Sequence, residues 1–270
     1  MTLSRASRAV LLAFTALVLV VVYAPLALVV LNSFNTNRTF AWPPTGLTLH
    51  WWDVAAQSGG ARAALWVSVK VAALSTVVAL VLGTMAAMGL QRYRFFGRDT
   101  VSLLIVLPIA LPGIVTGIAL NNAFRTVLDV RLGFLTIVVA HATFCIVTVF
   151  NNVQARLRRL GGSLEEASMD LGAGHFTTFR LVTFPMLRSA LLAGGLLAFA
   201  LSFDEIVVTT FTAGPQEQTL PIWIFNNLFR PNQGPVVNVV AAVLVLVSVV
   251  PIWLAQRLSG STSEAMTTAR

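Results

Sequence analysis

Two acidic segments have residue types and spacing that could do chemistry in an otherwise apolar chain. The first is EEASMDLGAGHFTTFRLVTFP, from Glu165 to Pro185, where carboxylates precede a glycine-containing turn. The second is the pair Asp204 and Glu205, which interrupts a long apolar run. An ionisable group inside an apolar span costs about 2.5–3.5 kcal/mol on insertion scales, so it usually faces a cavity or a partner. The second segment therefore predicts electrostatic attraction of a cation. The first segment is a polar insert between apolar runs, and it predicts a docking element.

The 165–185 segment predicts a short helix, a glycine turn and a second helix. Ser163 has the spacing of an N-cap, and Glu166 three residues later completes a capping box. The helix runs through Met169 and Leu171 and stops at Gly172 or Gly174, because glycine adopts the left-handed conformation of a helix C-cap. A second helix begins at about Thr177, and Pro185 precedes the next apolar run.

Apolar side chains of this segment, such as Met169, Leu171 and Phe176, are expected to be exposed and to contact a partner. The capping signals alone are equally compatible with an ordinary loop between helices, so both interpretations stay open at this point.

The acidic pair has two interpretations as well. If residues 188–212 form one helix, Glu205 shares a polar stripe with Ser202 and Thr209, whereas Asp204 points about 100° away. This spacing favours Glu205 for a translocation path and leaves Asp204 to pair with a neighbouring helix. The alternative is a salt bridge inside the membrane, with Lys70 as the candidate cation, although Lys70 is also able to reach outward to the interface.

The elements that position these residues are membrane spans. Apolar residues make up 57% of the chain, charged residues 10%, and the mean hydropathy is +0.83. A soluble domain carries about 25% charged residues, so the chain is an all-α, multi-pass membrane protein. The net charge of +8 does not indicate nucleic-acid binding, because the arginines lie in loops between apolar runs. Six spans are predicted, at about 9–31, 64–90, 101–120, 133–153, 188–212 and 236–255.

The arginines also predict the orientation. Arg5 and Arg8 resemble the start of a signal peptide, but the apolar run after them is too long, so it is interpreted as an uncleaved first helix. With the N-terminus inside, twelve arginines are cytoplasmic and five are outside, which places both termini and the loop at 154–187 in the cytoplasm. Residues 1–258 form the membrane domain, and 259–270 form a flexible tail.

Small residues and prolines predict how the helices pack. Ala79, Gly83 and Ala87 recur every four residues, as do Gly113 and Gly117, which favours close helix contacts. Pro108 and Pro112 predict a kink in the third span. The outer loop 213–235 combines prolines with aromatic residues such as Trp223. It is either an anchor at the membrane interface or part of an outer gate or a docking surface.

Enzymatic chemistry finds little support. The single cysteine, Cys145, is expected to be a buried apolar residue, and the three histidines form no metal motif. His141, Cys145, Asp204 and Glu205 are candidates for an intramembrane enzyme, but no catalytic motif joins them.

A stand-alone secondary transporter would need internal repeats, and none is visible. There is no phosphate-binding loop, so ATP energy would have to come from another subunit. Co-purification with an ATPase would discriminate among these alternatives.

The 165–185 segment resembles the EAA motif of ABC-importer permeases, which reads E-A-A, three residues, G, nine residues, I-x-L-P. Glu166, Ala167 and Gly172 match, and Pro185 is in register. Ser168, Val182 and Phe184 replace the family's Ala, Ile and Leu. Six spans with this loop between the fourth and fifth resemble the type I importer permease fold with a cytoplasmic coupling helix.

The resemblance implies that this chain couples to ATPases. Its ATPase-coupling residues would be Glu165, Glu166, Ala167, Asp170, Gly172 and Pro185. The implied partners are a second permease subunit, two cytoplasmic ATPases, an extracytoplasmic substrate-binding protein and the lipid bilayer of a bacterial plasma membrane. ATP and Mg would be held by the ATPases, and the permease would bind no cofactor or metal and catalyse nothing.

The runs LSFDEIVVTTF and TLPIWIF resemble the second permease of spermidine/putrescine-type importers, whose substrates are polyamines. The substrate path implied by this resemblance consists of Asp204, Glu205, Ser202, Thr209 and Trp223. An importer for another small organic solute is the alternative, although the acidic pair argues against an anion.

Overall fold

The computed structural model describes residues 4–39, 42–160, 162–230 and 232–247, and these residues fold almost entirely as helices. Within them, β-structure is limited to one isolated bridge between Asn35 and Leu47. The predicted all-α class is therefore confirmed. The helices are α1 (Arg5–Asn32), α2 (His50–Gln57), α3 (Gly59–Arg92), α4 (Arg98–Ala110), α5 (Gly113–Asn122), α6 (Phe134–Leu160), α7 (Ser163–Asp170), α8 (His175–Thr178), α9 (Phe184–Phe203), α10 (Val207–Thr212), α11 (Leu220–Leu228) and α12 (Gly234–Val247). Two π-helical turns, Ala123–Val127 and Phe179–Thr183, extend α5 and join α8 to α9.

Helices long and apolar enough to cross a membrane confirm a multi-pass protein. In the described residues these are α1, α3, α6 and the continuous helix His175–Phe203. The pair α4 and α5 becomes a fifth span if its two parts are counted together. Long apolar runs dictate this arrangement, because a helix satisfies its own backbone hydrogen bonds in lipid.

The third predicted span differs from the expected kinked helix. Residues 98–110 and 113–127 are separate segments bent by 106°. Pro108 lies inside α4, and Pro112 is the N-cap of α5. Because proline has no backbone N–H and disfavours helical geometry in the residue before it, Leu111 is extended and the helix breaks there.

The fifth predicted span also differs, because 188–212 is not one helix. The helix begins earlier, at His175, ends at Phe203, and α10 resumes at Val207. The sixth predicted span is represented by α12, while 248–255 and the tail at 259–270 lie outside the described residues.

Chain contacts define two compact units, Met1–Arg62 with Ile224–Arg270 and Ala63–Trp223. In the first unit, the Trp51 indole N–H donates to the Asn35 carbonyl at 3.0 Å, and Arg38 donates to the Asn232 side-chain oxygen at 2.9 Å. Phe34 stacks on Trp52 with ring centroids 5.1 Å apart. These contacts organise the segment that follows α1.

In the second unit, α6 is the most buried span and packs along α9. The predicted small-residue contacts are confirmed. A Cβ on Gly83 would lie 2.9 Å from the Ile146 carbonyl oxygen, so α3 approaches α6 closely there. A Cβ on Gly117 would lie 2.7 Å from the Phe211 ring, so α5 approaches α10 in the same way. Helices of this unit thus carry both acidic segments.

Candidate functional site

Helix α7 contains the carboxylates of the 165–185 segment, which is predicted to dock. Its N-cap is Gly162, whose carbonyl accepts hydrogen bonds from the N–H groups of Glu165 and Glu166 at 3.1 Å each. Ser163 is the first helical residue and does not cap, so the predicted capping box is wrong. The two carboxylates still lie in the first turn, where they complement the positive end of the helix dipole.

Gly172 ends α7 in the predicted left-handed conformation, with φ +86°. The Gly172 N–H donates to the Met169 carbonyl at 2.9 Å, and the Ala173 N–H donates to the Ser168 carbonyl at 3.1 Å. This pair of bonds is the Schellman motif, which satisfies the last carbonyls of a helix. A residue with a side chain is strained at this φ, which explains the glycine.

Side chains fasten α7 to the membrane helices. The Thr183 hydroxyl donates to the Glu165 carboxylate at 2.6 Å, and the hydroxyls of Ser168 and Thr178 are 3.1 Å apart. Arg92, which the sequence did not single out, lies at the end of α3 and donates to His175 Nδ1 at 3.3 Å. The ends of α3, α6 and α7 surround a cavity of about 220 Å³, lined by Met88, Gln91, Arg92, Leu157, Gly162, Glu165, Glu166 and Met169.

The remaining surface of α7 and its turn is exposed. Leu171 is 90% exposed and Phe176 is 75% exposed, as predicted, whereas Met169 is half-buried. We call the exposed residues Leu164, Glu166, Ala167, Asp170, Leu171 and Phe176 the docking face. The docking face combines apolar side chains with two carboxylates, while Glu165 is turned toward its own chain.

Pro185 lies inside a helix rather than before one. The helix from His175 to Phe203 is continuous, so the predicted second helix of the loop is the beginning of the fifth span. The π turn Phe179–Thr183 precedes Pro185, and the Phe184 N–H donates to the Phe179 carbonyl, five residues back. Since proline clashes with the carbonyl of the preceding turn in an α-helix, the wider π turn accommodates it.

The residues Asp204, Glu205 and Ile206 separate α9 from α10, and we call them the acidic break. The Asp204 side chain is exposed, and among the described residues its carboxylate has no hydrogen bond or ion pair. Glu205 is half-buried, and its carboxylate accepts a hydrogen bond from the Val208 N–H at 2.9 Å. The Glu205 carboxylate therefore satisfies a backbone N–H in the first turn of α10, whose N-cap is Ile206, and Asp204 is the carboxylate left available to a ligand.

The break changes the polar stripe that a continuous helix would have formed. Ser202 and Thr209 are buried and contact α6, so neither opens onto a path in this conformation. Trp223 in α11 is also buried. Lys70 is exposed and, in the described part of the chain, forms no salt bridge with either carboxylate. Asp204 and Glu205 are thus brought together with Ser202 and Thr209, but in different orientations from those the helical spacing predicted.

His141 was considered only as part of an intramembrane enzyme site, and the sequence did not predict that it would contact the residues on both sides of the acidic break. It is wholly buried in α6, 2.8 Å from the Ser202 hydroxyl and 2.8 Å from the Thr209 hydroxyl. A polar residue in an apolar span was a visible signal, but its partners are more than sixty positions away. Cys145, one turn further along α6, is buried as predicted. The residues described by the structure contain no cluster of three His, Cys, Asp or Glu side chains suited to a metal ion.

Comparison with known proteins finds similarity over most of the chain. Residues 79–262 match the family model described as "Binding-protein-dependent transport system inner membrane component". The putrescine transport system permease protein PotI of Escherichia coli strain K12 is 35% identical over 229 residues, covering 82% of this chain and 80% of that protein. The spermidine/putrescine transport system permease protein PotC of the same strain is 33% identical over 234 residues, covering 87% and 88%.

PotC of Haemophilus influenzae is 32% identical over 245 residues, covering 90% of this chain and 94% of that protein. Among solved structures, a chain of a bacterial ABC transporter involved in the import of the acidic polysaccharide alginate superposes with a TM-score of 0.71. That match is 15% identical in sequence and covers 97% of this chain and 99% of the other. At this identity it shows a shared fold, and the fold agrees with the family match.

Proposed function

Because the chain belongs to the binding-protein-dependent transport system inner membrane components, we propose that it forms half of the translocation path of a polyamine importer. The chain is a permease subunit of an ABC importer and not an enzyme. The observation that carries the substrate assignment is its 32–35% identity, over most of its length, to permeases named for putrescine and spermidine.

The acidic break supplies the chemistry that a polyamine requires. Asp204 is exposed and unpaired among the described residues, and a carboxylate inside an apolar span is unfavourable without a counter-charge. A passing ammonium group would supply that charge. We propose Asp204 as the direct contact and Glu205 as a second negative charge beside it. Ser202 and Thr209 support this part of the path from buried positions on either side of the break. Trp223 is a further proposed member of the path and is buried in this conformation.

The docking face supplies the connection to ATP hydrolysis. We propose that α7, ended by Gly172, sits in a groove of a cytoplasmic ATPase. There Leu171 and Phe176 would bury apolar surface, and Glu166 would meet a basic group. The complete importer would contain a second permease, two ATPases that hold ATP and Mg, and an extracytoplasmic binding protein. It would lie in a bacterial plasma membrane with both termini of this chain in the cytoplasm.

The test is reconstitution of the complete complex in lipid vesicles with its binding protein outside and ATP inside. We expect putrescine or spermidine to stimulate ATP hydrolysis and to accumulate in the vesicles, because the ligand-loaded binding protein drives the cycle. An anionic solute such as a phosphonate is the matched control and should do neither. Stimulation by the anion with no response to either amine would contradict the substrate assignment and leave the permease assignment intact.

A further inference from the structure

His141 connects the two helices that the acidic break separates. Ser202, bonded to its Nδ1, belongs to the last turn of α9, and Thr209, bonded to its Nε2, belongs to α10. The imidazole is wholly buried and has no access to the exposed side of the break. Any influence of His141 on a transported solute must therefore pass through its two neighbours.

The directions of these hydrogen bonds follow from the bond next to them. The Thr209 hydroxyl donates its single proton to the Glu205 backbone carbonyl at 2.8 Å, since a carbonyl oxygen only accepts. The Thr209 hydroxyl oxygen therefore accepts a hydrogen bond from the N–H group at His141 Nε2. A neutral imidazole carries one N–H, so Nδ1 accepts from the Ser202 hydroxyl. The result is a directed chain of donors from Ser202 to His141, from His141 to Thr209, and from Thr209 to the Glu205 carbonyl.

This chain of bonds fixes the backbone of the acidic break. Within the described residues, the Glu205 carbonyl has Thr209 as its one hydrogen-bond donor. Helix α6 holds both flanks as well, because the Cys145 thiol lies 3.3 Å from the Ala198 carbonyl and the Thr136 hydroxyl lies 2.7 Å from the Thr212 carbonyl. Helix α6, which is continuous, thus fixes the positions of α9 and α10 on the two sides of the acidic break.

We propose that His141 is a positioning residue, which acts through Ser202 and Thr209 to set the direction in which Asp204 presents its carboxylate to the transported cation. This inference rests on the proposed role of Asp204. The Glu205 carbonyl belongs to the peptide that follows Glu205, and Asp204 directly precedes Glu205. A shift of that carbonyl therefore passes through the backbone of Glu205 to Asp204 and changes the direction of its side chain. The neutral imidazole, with one donor and one acceptor, suits two hydroxyl partners whose roles differ.

The test compares Thr209→Val, which removes the hydroxyl and keeps the shape, with Thr209→Ser, which keeps the hydroxyl. Thr212→Val is the matched control, because Thr212 lies in the same helix, is equally buried, and donates only to the Val208 carbonyl of that helix.

Vesicle uptake gives the half-saturating amine concentration and the maximal rate. We expect Thr209→Val to raise the half-saturating concentration about tenfold, the effect of losing one buried hydrogen bond, with the maximal rate nearly unchanged. Thr212→Val should stay within about twofold of the unmodified chain, and Thr209→Ser, which restores the hydroxyl, should recover most of the loss caused by Thr209→Val.

Equal behaviour of Thr209→Val and Thr212→Val would overturn the inference. If Thr209→Val does not assemble with the ATPase, Ser202→Ala replaces it, with the same expected shift. Failure of the unmodified complex to take up either amine would instead contradict the proposed function. The bond directions can be read independently by nuclear magnetic resonance of isotope-labelled histidine, with His141→Gln used to assign the signals. We expect a protonated Nε2 and an unprotonated Nδ1, and the opposite tautomer would contradict the directed chain.

Discussion

Asp204 and Glu205 are adjacent residues with different surroundings. The Glu205 carboxylate is occupied by the Val208 N–H, whereas the Asp204 carboxylate is exposed and, in the described residues, unpaired. One oxygen of the half-buried Glu205 carboxylate is held by a helix end, so this side chain is less free than Asp204 to turn toward a ligand. The residue-level geometry therefore reverses the order that helical spacing suggested, and Asp204 becomes the stronger candidate for cation contact.

At this scale, we predict that Asp204→Asn raises the half-saturating amine concentration at least about tenfold, because a hydrogen bond to a charged group is worth roughly 1.5–3 kcal/mol. Glu205→Gln is the matched control, since the amide oxygen still accepts from the Val208 N–H, and it should change the value by about threefold or less. Vesicle uptake by the reconstituted complex measures both. A larger effect at Glu205 than at Asp204 would return the direct contact to Glu205.

The features that the sequence predicted correctly are those determined by residues close by in the chain. The glycine turn at Gly172 follows from a short helix that needs a left-handed cap. The acidic break could not be read in this way, because residues 200–212 contain no proline or glycine to mark it. Its bonds come from His141 on another helix, so only the tertiary structure reveals them.

At the scale of elements, α7 is a helix of eight residues held by both its cap and its neighbours. Such a short helix is not stable alone in water, so its shape depends on the Schellman turn and on the bonds from Thr183 and Thr178. The docking face is therefore a preformed surface, and its geometry is sensitive to the turn that ends the helix.

For this element, we predict that Gly172→Ala weakens coupling between ATP hydrolysis and uptake, because a side chain in the left-handed region costs about 1–2 kcal/mol. Gly174→Ala is the matched control. Both glycines have open space where a Cβ would lie, and only Gly172 has positive φ. The measurement is amine molecules taken up per ATP hydrolysed, together with ATPase retained during purification of the complex. Equal results for the two variants would show that the turn conformation does not matter.

Other elements show what hydrophobicity can and cannot predict. The spans α1, α3 and α6 were located from their apolar runs, and the contacts of Gly83 and Gly117 from small-residue spacing. The 106° bend between α4 and α5 exceeds the expected kink, and the π turn before Pro185 was not foreseen. Proline signals a disturbance of the helix, but the surrounding packing decides whether the chain bends, breaks or widens.

At the scale of the whole molecule, the distribution of arginines predicts the orientation of every loop. With the N-terminus inside, the docking face is cytoplasmic and the segment after α5 is outside. This arrangement is the one that the proposed function needs, since ATPases act in the cytoplasm and the binding protein acts on the other side.

The orientation can be tested with an impermeant thiol reagent on intact cells. Leu171→Cys and Leu128→Cys place thiols at positions that are 90% and 61% exposed. In cells that express the chain without its ATPase, we expect labelling at 128 only, and labelling at 171 after the membrane is permeabilised. The unmodified chain is the control, because Cys145 is wholly buried and should not react. Labelling of position 171 in intact cells would reverse the proposed orientation.

The continuity of the helix His175–Phe203 has a mechanical consequence. Its 29 residues form a rod about 44 Å long, with α7 fastened near one end and Asp204 at the other. A rigid rod works as a lever, so a tilt of about 10° imposed at its base would carry Asp204 sideways by roughly 8 Å. This displacement of Asp204 is larger than the width of an ammonium group. A small movement of the ATPase at α7 would therefore be enough to open or close the proposed path at Asp204.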